Sequence, residues 1–194
     1  MRRTAYLVII TTAALLLGSC TVTKNTTRKG STPRTRYASA SRGTGGSGAS
    51  LDSAHKNNCS KLEVNASSSD NAKLYSECAS WLGAKYQYGG TTKSGVDCSG
   101  FVYMVYKAVY GKTLTRQSAG MLTDNCTKIT KSQLREGDLV FFRTDGKKSS
   151  TPNHVGIYLK ENKFIHASTS KGVVVSDLLQ SYYVTNWITG GRVK

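Results

Sequence analysis

The sequence predicts an α+β domain in which N-terminal helices pack on an antiparallel β-sheet. Between about residues 70 and 111, apolar residues recur at intervals of three and four, the period of a helix. After residue 138, short segments rich in β-branched and aromatic residues alternate with turn residues. Helices followed by consecutive short strands are typical of an antiparallel sheet covered by helices on one side.

Two helices are predicted. The first runs from an N-cap at Ser69 or Asp70 to a stop at Gly83. Its apolar residues share one stripe: Leu74, Cys78 and Leu82. The second covers "CSGFVYMVYKAVYG" and ends at Gly111, with one stripe formed by Phe101, Val105 and Val109.

The strands are predicted from five segments, separated by turn sequences such as "KENK". They are "DLVFF", "HVGIYL", "KFIHAS", "GVVVS" and "WITGGRVK". A short helical turn is expected between the second helix and the first strand, around residues 116–122. Together these elements form one domain over residues 70–194.

The N-terminus has the layout of a secretory signal peptide over residues 1–19. Two arginines precede an apolar run that is too short for a comfortable bilayer span. The ending "LGSC" resembles a bacterial lipobox, which implies that the leader is removed and that Cys20 carries fatty acyl chains such as palmitate. An ordinary cleaved signal with an incidental Cys20 is the alternative.

Residues 20–69 are predicted to form a basic, flexible tether. From residue 21 to residue 50 there are six basic residues and no acidic ones, without apolar periodicity. The charge excess continues in the domain, where 17 Lys and Arg stand against 8 Asp and Glu from Asn71 onward. Because the chain is exported, we expect an anionic lipid surface or wall polymer as the partner, and no nucleic acid.

Four of the five cysteines are not explained by the lipobox. Cys78 lies on the apolar stripe of the first helix and is expected to be a buried structural thiol. Cys59 and Cys126 are placed in polar loops, and a pairing among these three cysteines stays open. The cysteines have no zinc-ligand spacing, so we expect no metal and no other cofactor. His55 is assigned no role.

Cys98 differs from the other cysteines because it lies in the first turn of the second helix. Unpaired backbone N–H groups and the positive end of the helix dipole stabilise an anion there. The position predicts a lowered thiol pKa, as a nucleophile at neutral pH requires. The same N–H groups could also bind the oxyanion that forms when a carbonyl is attacked.

The predicted domain contains two histidines, and both lie in strands joined by a tight connection. An antiparallel pairing would make His154 and His166 neighbours across the ladder. Cys98, His154 and His166 are therefore predicted to act as nucleophile, base and orienting residue. A zinc site built from the same three residues is an alternative.

Four blocks of this sequence resemble the signature of the NlpC/P60 family of bacterial cell-wall cysteine peptidases. The blocks are "YQYGGTTKSGVDCSGFV", "GDLVFF", "HVGIY" and "FIHAS", and the similarity extends from about residue 72 to residue 192. Within the family, the chain is most similar to the lipoprotein murein endopeptidases. The resemblance implies a papain-like fold and hydrolysis of amide bonds in the peptide stems of peptidoglycan.

The resemblance also implies roles for individual residues. Cys98 would be the nucleophile, His154 the general base and then acid, and His166 the orienting residue. Residues implied to line the substrate pocket are Tyr86, Asp97, Ser99 and Arg116, although Asp97 could equally be a helix cap. Asp138 is expected to be a turn residue. Thr115 and Met121 depart from the family pattern, which leaves the preferred bond open.

The expected protein is therefore a monomeric, lipid-anchored cysteine endopeptidase of the bacterial cell envelope. Thr21, rather than an aspartate, follows Cys20, which implies the outer membrane, with the domain facing the periplasm. Two alternatives stay open: a catalytically weak wall-binding module of the same fold, and a thiol hydrolase or transferase for another acyl substrate.

Overall fold

The structure is a computed structural model that describes residues 51–194. The predicted signal peptide, Cys20 and the tether up to residue 50 lie outside these residues. The helices are α1 (Ser53–Lys61), α2 (Ala72–Trp81), α3 (Cys98–Tyr110), α4 (Ser118–Gly120) and α5 (Ser181–Asn186). The strands are β1 (Thr91–Thr92), β2 (Gly95–Val96), β3 (Cys126–Ile129), β4 (Leu139–Phe142), β5 (His154–Tyr158), β6 (Lys163–Ser168), β7 (Gly172–Asp177) and β8 (Trp187–Val193).

Six of the strands form one antiparallel sheet in the order β3-β8-β4-β5-β6-β7, and β1 and β2 form a separate small hairpin. Helix α3 lies against β5 and β6, and α2 lies against α3. The observed architecture confirms the predicted α+β class. None of the helices in residues 51–194 combines the length and the apolar character needed to span a bilayer.

Alternate residues of each strand point to opposite faces of the sheet. Apolar residues occupy both sets of positions, so both faces are apolar. On one face, Val155 and Ile157 belong to the core that includes Phe101 and Val105 of α3. On the other face, a smaller aromatic cluster consists of Val140, Phe142, Phe164, Leu178 and Tyr183. Cys98 belongs to the first of these layers, whereas His154 and His166 contact Phe142 and Phe164 of the second.

The two predicted helices are present with small changes at their ends. Helix α2 is capped by Asn71, whose side chain accepts a hydrogen bond from the N–H of Leu74 at 3.1 Å, rather than by Ser69 or Asp70. Helix α3 begins at Cys98 and ends at Gly111, which has φ 66°. Glycine tolerates this left-handed conformation without the penalty a side chain would bring.

The predicted tether has to be corrected for residues 53–64, because this segment is folded. Helix α1 packs against α2, and Cys59 and Leu62 are fully buried in the main core. Cys59 therefore lies in a helix and not in a polar loop. Cys126 is likewise buried, as the first residue of β3. The four cysteines within residues 51–194 are all free thiols.

Helix α1 is held by a buried polar cluster, which we call the α1 cluster. It consists of His55, Cys59, Asp70 and Lys160. His55 Nε2 lies 3.2 Å from Asp70 Oδ2, and the ammonium of Lys160 lies 2.8 Å from both oxygens of Asp70. Because they are four residues apart, His55 and Cys59 lie on one face of α1. On that face, both side chains contact Asp70, which belongs to the loop after the helix. These interactions hold α1 beside the end of β5 and the start of α2.

Candidate active site

Cys98 is the first residue of α3, immediately after the N-cap Asp97. One oxygen of Asp97 accepts the N–H of Gly100 at 2.6 Å, and the other accepts the N–H of Gly89 at 2.8 Å. The helix start is thus fixed by a carboxylate, which satisfies one of its free N–H groups. The N–H groups of Cys98 and Ser99 remain next to the thiol.

The charge state of Cys98 differs from the prediction. Burial raises the pKa of the thiol, and the backbone N–H groups of Val155, Ser99 and Cys98 only partly oppose this effect. The predicted lowering of the pKa by the helix start is therefore outweighed by loss of water around the sulfur. In the resting site, Cys98 is a neutral thiol.

His154 and His166 are brought together as predicted, but not directly across the ladder. The register of β5 and β6 pairs Ile157 with Ile165; continuing it places His166 opposite Gly156 and His154 two residues further along. The two rings meet on the diagonal, with His154 Nε2 at 2.8 Å from His166 Nδ1. Gly156 leaves room for this contact, because a Cβ there would lie 3.1 Å from the Cβ of His166.

Both imidazoles are neutral at physiological pH. Burial lowers the pKa of His154 to about 4. Burial, and then the charge of neighbouring His154, lower the pKa of His166 well below its ordinary value. The site therefore holds a thiol and two neutral imidazoles, not a preformed thiolate–imidazolium pair.

The thiol lies beside β5, the strand that begins with His154. The backbone N–H of Val155, the residue after His154, donates a hydrogen bond to the Cys98 sulfur. Among the described residues, His166 is the one hydrogen-bond partner of the His154 ring, and Nδ1 of His154 has no hydrogen-bond partner. Catalytic hydrogen bonds are often long before substrate binds, and a direct Cys98–His154 bond is not formed here.

Cys98 opens into a cleft of about 530 Å³. Its lining includes Tyr86, Arg116, Ser118 and Asn153. Tyr86 is fixed by a bridge to Val96, two residues before Cys98. Burial, and then the nearby Cys98, raise the pKa of its phenol, so that Tyr86 stays a hydrogen-bond donor. The four predicted pocket residues, Tyr86, Asp97, Ser99 and Arg116, all line this cleft.

Arg116 binds two of the other pocket residues, Asp97 and Ser99. Its guanidinium lies 3.3 and 3.2 Å from the two oxygens of Asp97 and 3.1 Å from the hydroxyl of Ser99. Burial alone would raise the pKa of Asp97, but Arg116 and the N–H groups of Gly100 and Gly89 hold it below its ordinary value. Asp97 thus acts as a helix cap and also belongs to the cleft. Asp138, by contrast, pairs with Arg192 away from the site.

Two residues beside His166 were not predicted from the sequence. Ser176 Oγ and the hydroxyl of Tyr183 each lie 3.0 Å from His166 Nε2. Ser176 is the one hydroxyl residue in a run of valines in β7, a signal that the sequence does contain. Tyr183 lies in α5, a six-residue helix that the periodicity did not indicate.

The geometry does not favour a metal at Cys98. His154 and His166 point ring nitrogens at each other. Within residues 51–194, the group whose ligand atoms converge is instead His55, Cys59 and Asp70, all within 4.8 Å of one another. There the ammonium of Lys160 already neutralises the carboxylate, and the sulfur is almost equally distant from both imidazole nitrogens, at 3.6 and 3.8 Å. The α1 cluster is therefore described by hydrogen bonds and an ion pair.

Comparisons with known proteins agree on one family. The NlpC/P60 family profile matches residues 83–192. The "Probable endopeptidase NlpC homolog" of Haemophilus influenzae is 41% identical over 122 residues, 63% of this chain and 61% of that protein. The "Murein DD-endopeptidase MepS/Murein LD-carboxypeptidase" of Escherichia coli K12 is 35% identical over 180 residues, 93% of this chain and 87% of that protein.

A solved structure has the same architecture. An NlpC/P60 family protein from Bacillus cereus superposes with a TM-score of 0.55 at 29% identity, over 62% of this chain and 38% of that one. The chain spans less than two thirds of the length of this protein and of the Haemophilus relative. The profile match covers more than half of the chain, and the fold agrees with it. The chain belongs to the NlpC/P60 family.

Proposed function

We propose that the protein is a cysteine endopeptidase that hydrolyses amide bonds in peptidoglycan stem peptides or cross-links. The observation that carries the proposal is a thiol at a helix start, open to a cleft and adjacent to a strand whose first residue, His154, is hydrogen-bonded to His166 at 2.8 Å. The names of the Haemophilus and Escherichia relatives support the same activity.

The proposed reaction begins with proton transfer from Cys98 to Nδ1 of His154 as the sulfur attacks the amide carbonyl. Because both groups are neutral at rest, the transfer accompanies the attack rather than preceding it. The tetrahedral oxyanion is stabilised by the N–H groups at the start of α3. His154 then gives its proton to the departing amine, which leaves a thioester on Cys98.

Hydrolysis of the thioester completes the cycle. A water molecule that replaces the amine gives a proton to His154 and attacks the carbonyl. Collapse of the second oxyanion breaks the carbon–sulfur bond, and His154 returns the proton to the sulfur. His166 accepts the Nε2–H of His154 throughout and stabilises the imidazolium that forms in each half-reaction.

The cleft residues supply the proposed substrate contacts. Tyr86 offers a hydroxyl beside the thiol, and Arg116 offers a partly exposed cation. Asp97 and Ser99 hold the Arg116 guanidinium in place. A basic domain that carries such a cation suits an anionic wall polymer whose stem peptides bear carboxylates.

The decisive experiment incubates purified protein with peptidoglycan sacculi and identifies the released fragments by mass spectrometry. We expect new amine and carboxyl termini within stems or cross-links, and no release by Cys98→Ala or Cys98→Ser. A folded Cys98→Ala variant that still releases fragments would refute the proposal. Circular dichroism and the urea midpoint of each variant show whether it is folded.

The absence of a formed Cys98–His154 hydrogen bond is the observation that favours the alternative, a wall-binding module with weak activity. The same assay separates the two functions. A module would sediment with sacculi whether or not Cys98 is present, and it would release few or no fragments at any pH. An enzyme acting on another acyl substrate would neither sediment with sacculi nor release fragments from them.

We further propose that the protein is a lipoprotein anchored through Cys20 in the outer membrane and facing the periplasm, with residues 21–50 as its basic tether. The sequence pattern around residues 1–20 supports this anchor. Cells grown with labelled palmitate should incorporate label into the protein, and Cys20→Ala should abolish it. Label retained by Cys20→Ala would refute the anchor, and separation of the two membranes tests its location.

A further inference from the structure

Two hydroxyl groups lie within hydrogen-bond distance of His166, at the ring nitrogen that does not contact His154. Its Nε2 lies 3.0 Å from Ser176 Oγ and 3.0 Å from the hydroxyl of Tyr183, and these two oxygens lie 3.2 Å apart. On its other side, His166 Nδ1 lies 2.8 Å from His154 Nε2. A continuous chain of hydrogen bonds therefore leads from the proposed base to two hydroxyls that the reaction itself does not use.

Separate elements bring the two hydroxyls to this point. Ser176 lies in β7 opposite Phe164, so its side chain is on the same sheet face as His166. Tyr183 reaches the face from α5, and its ring packs at 4.8 Å from Phe164 and 5.3 Å from Phe142. The aromatic cluster thus fixes the direction of the Tyr183 hydroxyl, and the His166 side chain beside it is only 2% exposed.

The chain of bonds is coupled to the protonation of His154. As a base, His154 must have Nδ1 free of a proton, so Nε2 carries the proton and donates it to His166 Nδ1. His166 must then carry its own proton on Nε2. That N–H is buried, and a buried N–H without an acceptor is unfavourable, so it needs one.

We propose that Ser176 and Tyr183 are positioning residues whose hydroxyls accept the Nε2–H of His166 and thereby keep Nδ1 of His154 free to take the thiol proton. This inference rests on the proposed function and adds two residues that do not touch substrate. Without both hydroxyls, His166 moves its proton to Nδ1 and donates to His154 Nε2. His154 then carries its proton on Nδ1, the wrong tautomer for a base.

The two hydroxyls are expected to substitute for each other. Either oxygen alone can accept the N–H, so Ser176→Ala and Tyr183→Phe should each lower kcat less than tenfold. The double variant leaves no acceptor and should lose kcat by about 100-fold or more, with KM changed less than threefold. A double variant with kcat within twofold of the parent protein would overturn the inference.

Two controls separate positioning from packing. Ser176→Thr keeps a hydroxyl and, combined with Tyr183→Phe, should restore most of the kcat lost in the double variant. Tyr182→Phe removes the hydroxyl of an exposed neighbouring tyrosine and should leave kcat unchanged. If the threonine does not restore activity, or if Tyr182→Phe is as damaging as the double variant, hydrogen bonding to His166 is not the cause.

A second readout does not depend on activity. Nitrogen-15 NMR of histidine-labelled protein distinguishes protonated from unprotonated Nδ1 and Nε2. We expect an unprotonated Nδ1 at His154 in the parent protein and a protonated Nδ1 in the double variant. Nδ1 of His154 protonated already in the parent protein, or the same tautomer in both, would overturn the inference. A parent protein that has the expected tautomers but releases nothing from sacculi would contradict the proposed function instead.

Discussion

Burial decides the charge of Cys98 and His154, the two side chains that exchange a proton in the proposed reaction. A thiolate facing an imidazolium would place two charges on side chains that are only 7% exposed, and burial raises the pKa of Cys98 and lowers that of His154, which disfavours both charges. The N–H groups at the start of α3 favour a thiolate, but they do not replace the hydration that a sulfur anion has in water. In the proposed reaction, the substrate therefore meets a neutral thiol and a neutral imidazole.

This charge state predicts the acidic limb of the pH profile. The base must be neutral, and His154 has a pKa of about 4, so kcat/KM should fall only as pH drops towards 4. The assay should use a stem peptide with intact carboxylates whose own titration is measured separately, so that it can be divided out of the profile. A midpoint at or above 6.5, the value of an exposed histidine, would contradict the neutral resting state.

The two histidines are expected to differ in importance. His154→Ala removes the group that carries the proton in the proposed reaction and should lower kcat by about 1,000-fold or more. His166→Ala removes only its hydrogen-bond partner and should cost roughly 10- to 100-fold. Steady-state kinetics on a defined stem peptide gives both values, and equal or reversed losses would contradict the assigned roles.

At the scale of elements, the start of α3 combines a cap with an ion pair. Asp97 accepts the N–H groups of Gly100 and Gly89 and also binds Arg116. The residue that begins the helix therefore also positions a cation in the cleft. This dual use explains why Asp97 could be assigned from the sequence either to capping or to the pocket.

Two variants of Asp97 separate these contributions. Asp97→Asn keeps an oxygen for the Gly100 N–H but loses the charge, whereas Asp97→Ala loses both. Asp97→Ala should destabilise the fold by about 1–2 kcal/mol more than Asp97→Asn. Urea unfolding measures the difference. Asp145→Asn, which alters an exposed pair with Arg143, serves as the control and should not move the midpoint. Equal destabilisation by both Asp97 variants would show that the cap contributes nothing.

Elements with a strong internal pattern could be predicted from the sequence. Helices α2 and α3 and the strands β4 to β8 have clear apolar periodicity or β-branched runs. Helix α1 has few apolar residues, and α5 has six residues in all. Both depend on distant partners, such as Lys160 for α1 and Phe164 for Tyr183. Propensity alone cannot indicate an element whose stability comes from tertiary packing.

The same limit applies to the candidate site, where features set by local pattern could be predicted and features set by packing could not. The meeting of His154 and His166 could be predicted, because one hairpin joins their strands. Their diagonal offset could not, because it depends on the register and on the space that Gly156 leaves. The raised pKa of Cys98 was also missed, since burial is a property of the packed domain and not of the helix start.

At the scale of the molecule, the buried histidines link stability to pH. His154 and His166 have lowered pKa values in the folded state, so between their folded and unfolded values the unfolded chain binds more protons. The free energy of unfolding should therefore fall as pH drops from 7 to 5, by on the order of 1 kcal/mol per pH unit. Urea titrations at several pH values measure this slope. It should be shallower in His154→Gln, and an unchanged slope would contradict burial of a neutral ring.

Helix α1 extends the folded unit beyond the boundary that the sequence suggests at residue 70. Leu62 and Cys59 fill the core beside α2, and Lys160 binds Asp70 where the loop enters that helix. Removing α1 would expose this apolar surface to water. A chain beginning at residue 70 should therefore be less stable than one beginning at residue 51, by on the order of 3 kcal/mol or more.

A single substitution tests the same packing without shortening the chain. Leu62 is fully buried, so Leu62→Ala should cost about 2–5 kcal/mol in urea unfolding. Leu179, 64% exposed, is the matched control, and Leu179→Ala should change stability little. Because α1 lies apart from the cleft, kcat on a stem peptide should persist in Leu62→Ala below its melting temperature. If the 51–194 and 70–194 chains were equally stable, residues 53–64 would contribute nothing to the stability of the domain, and the original prediction of a tether would stand for them.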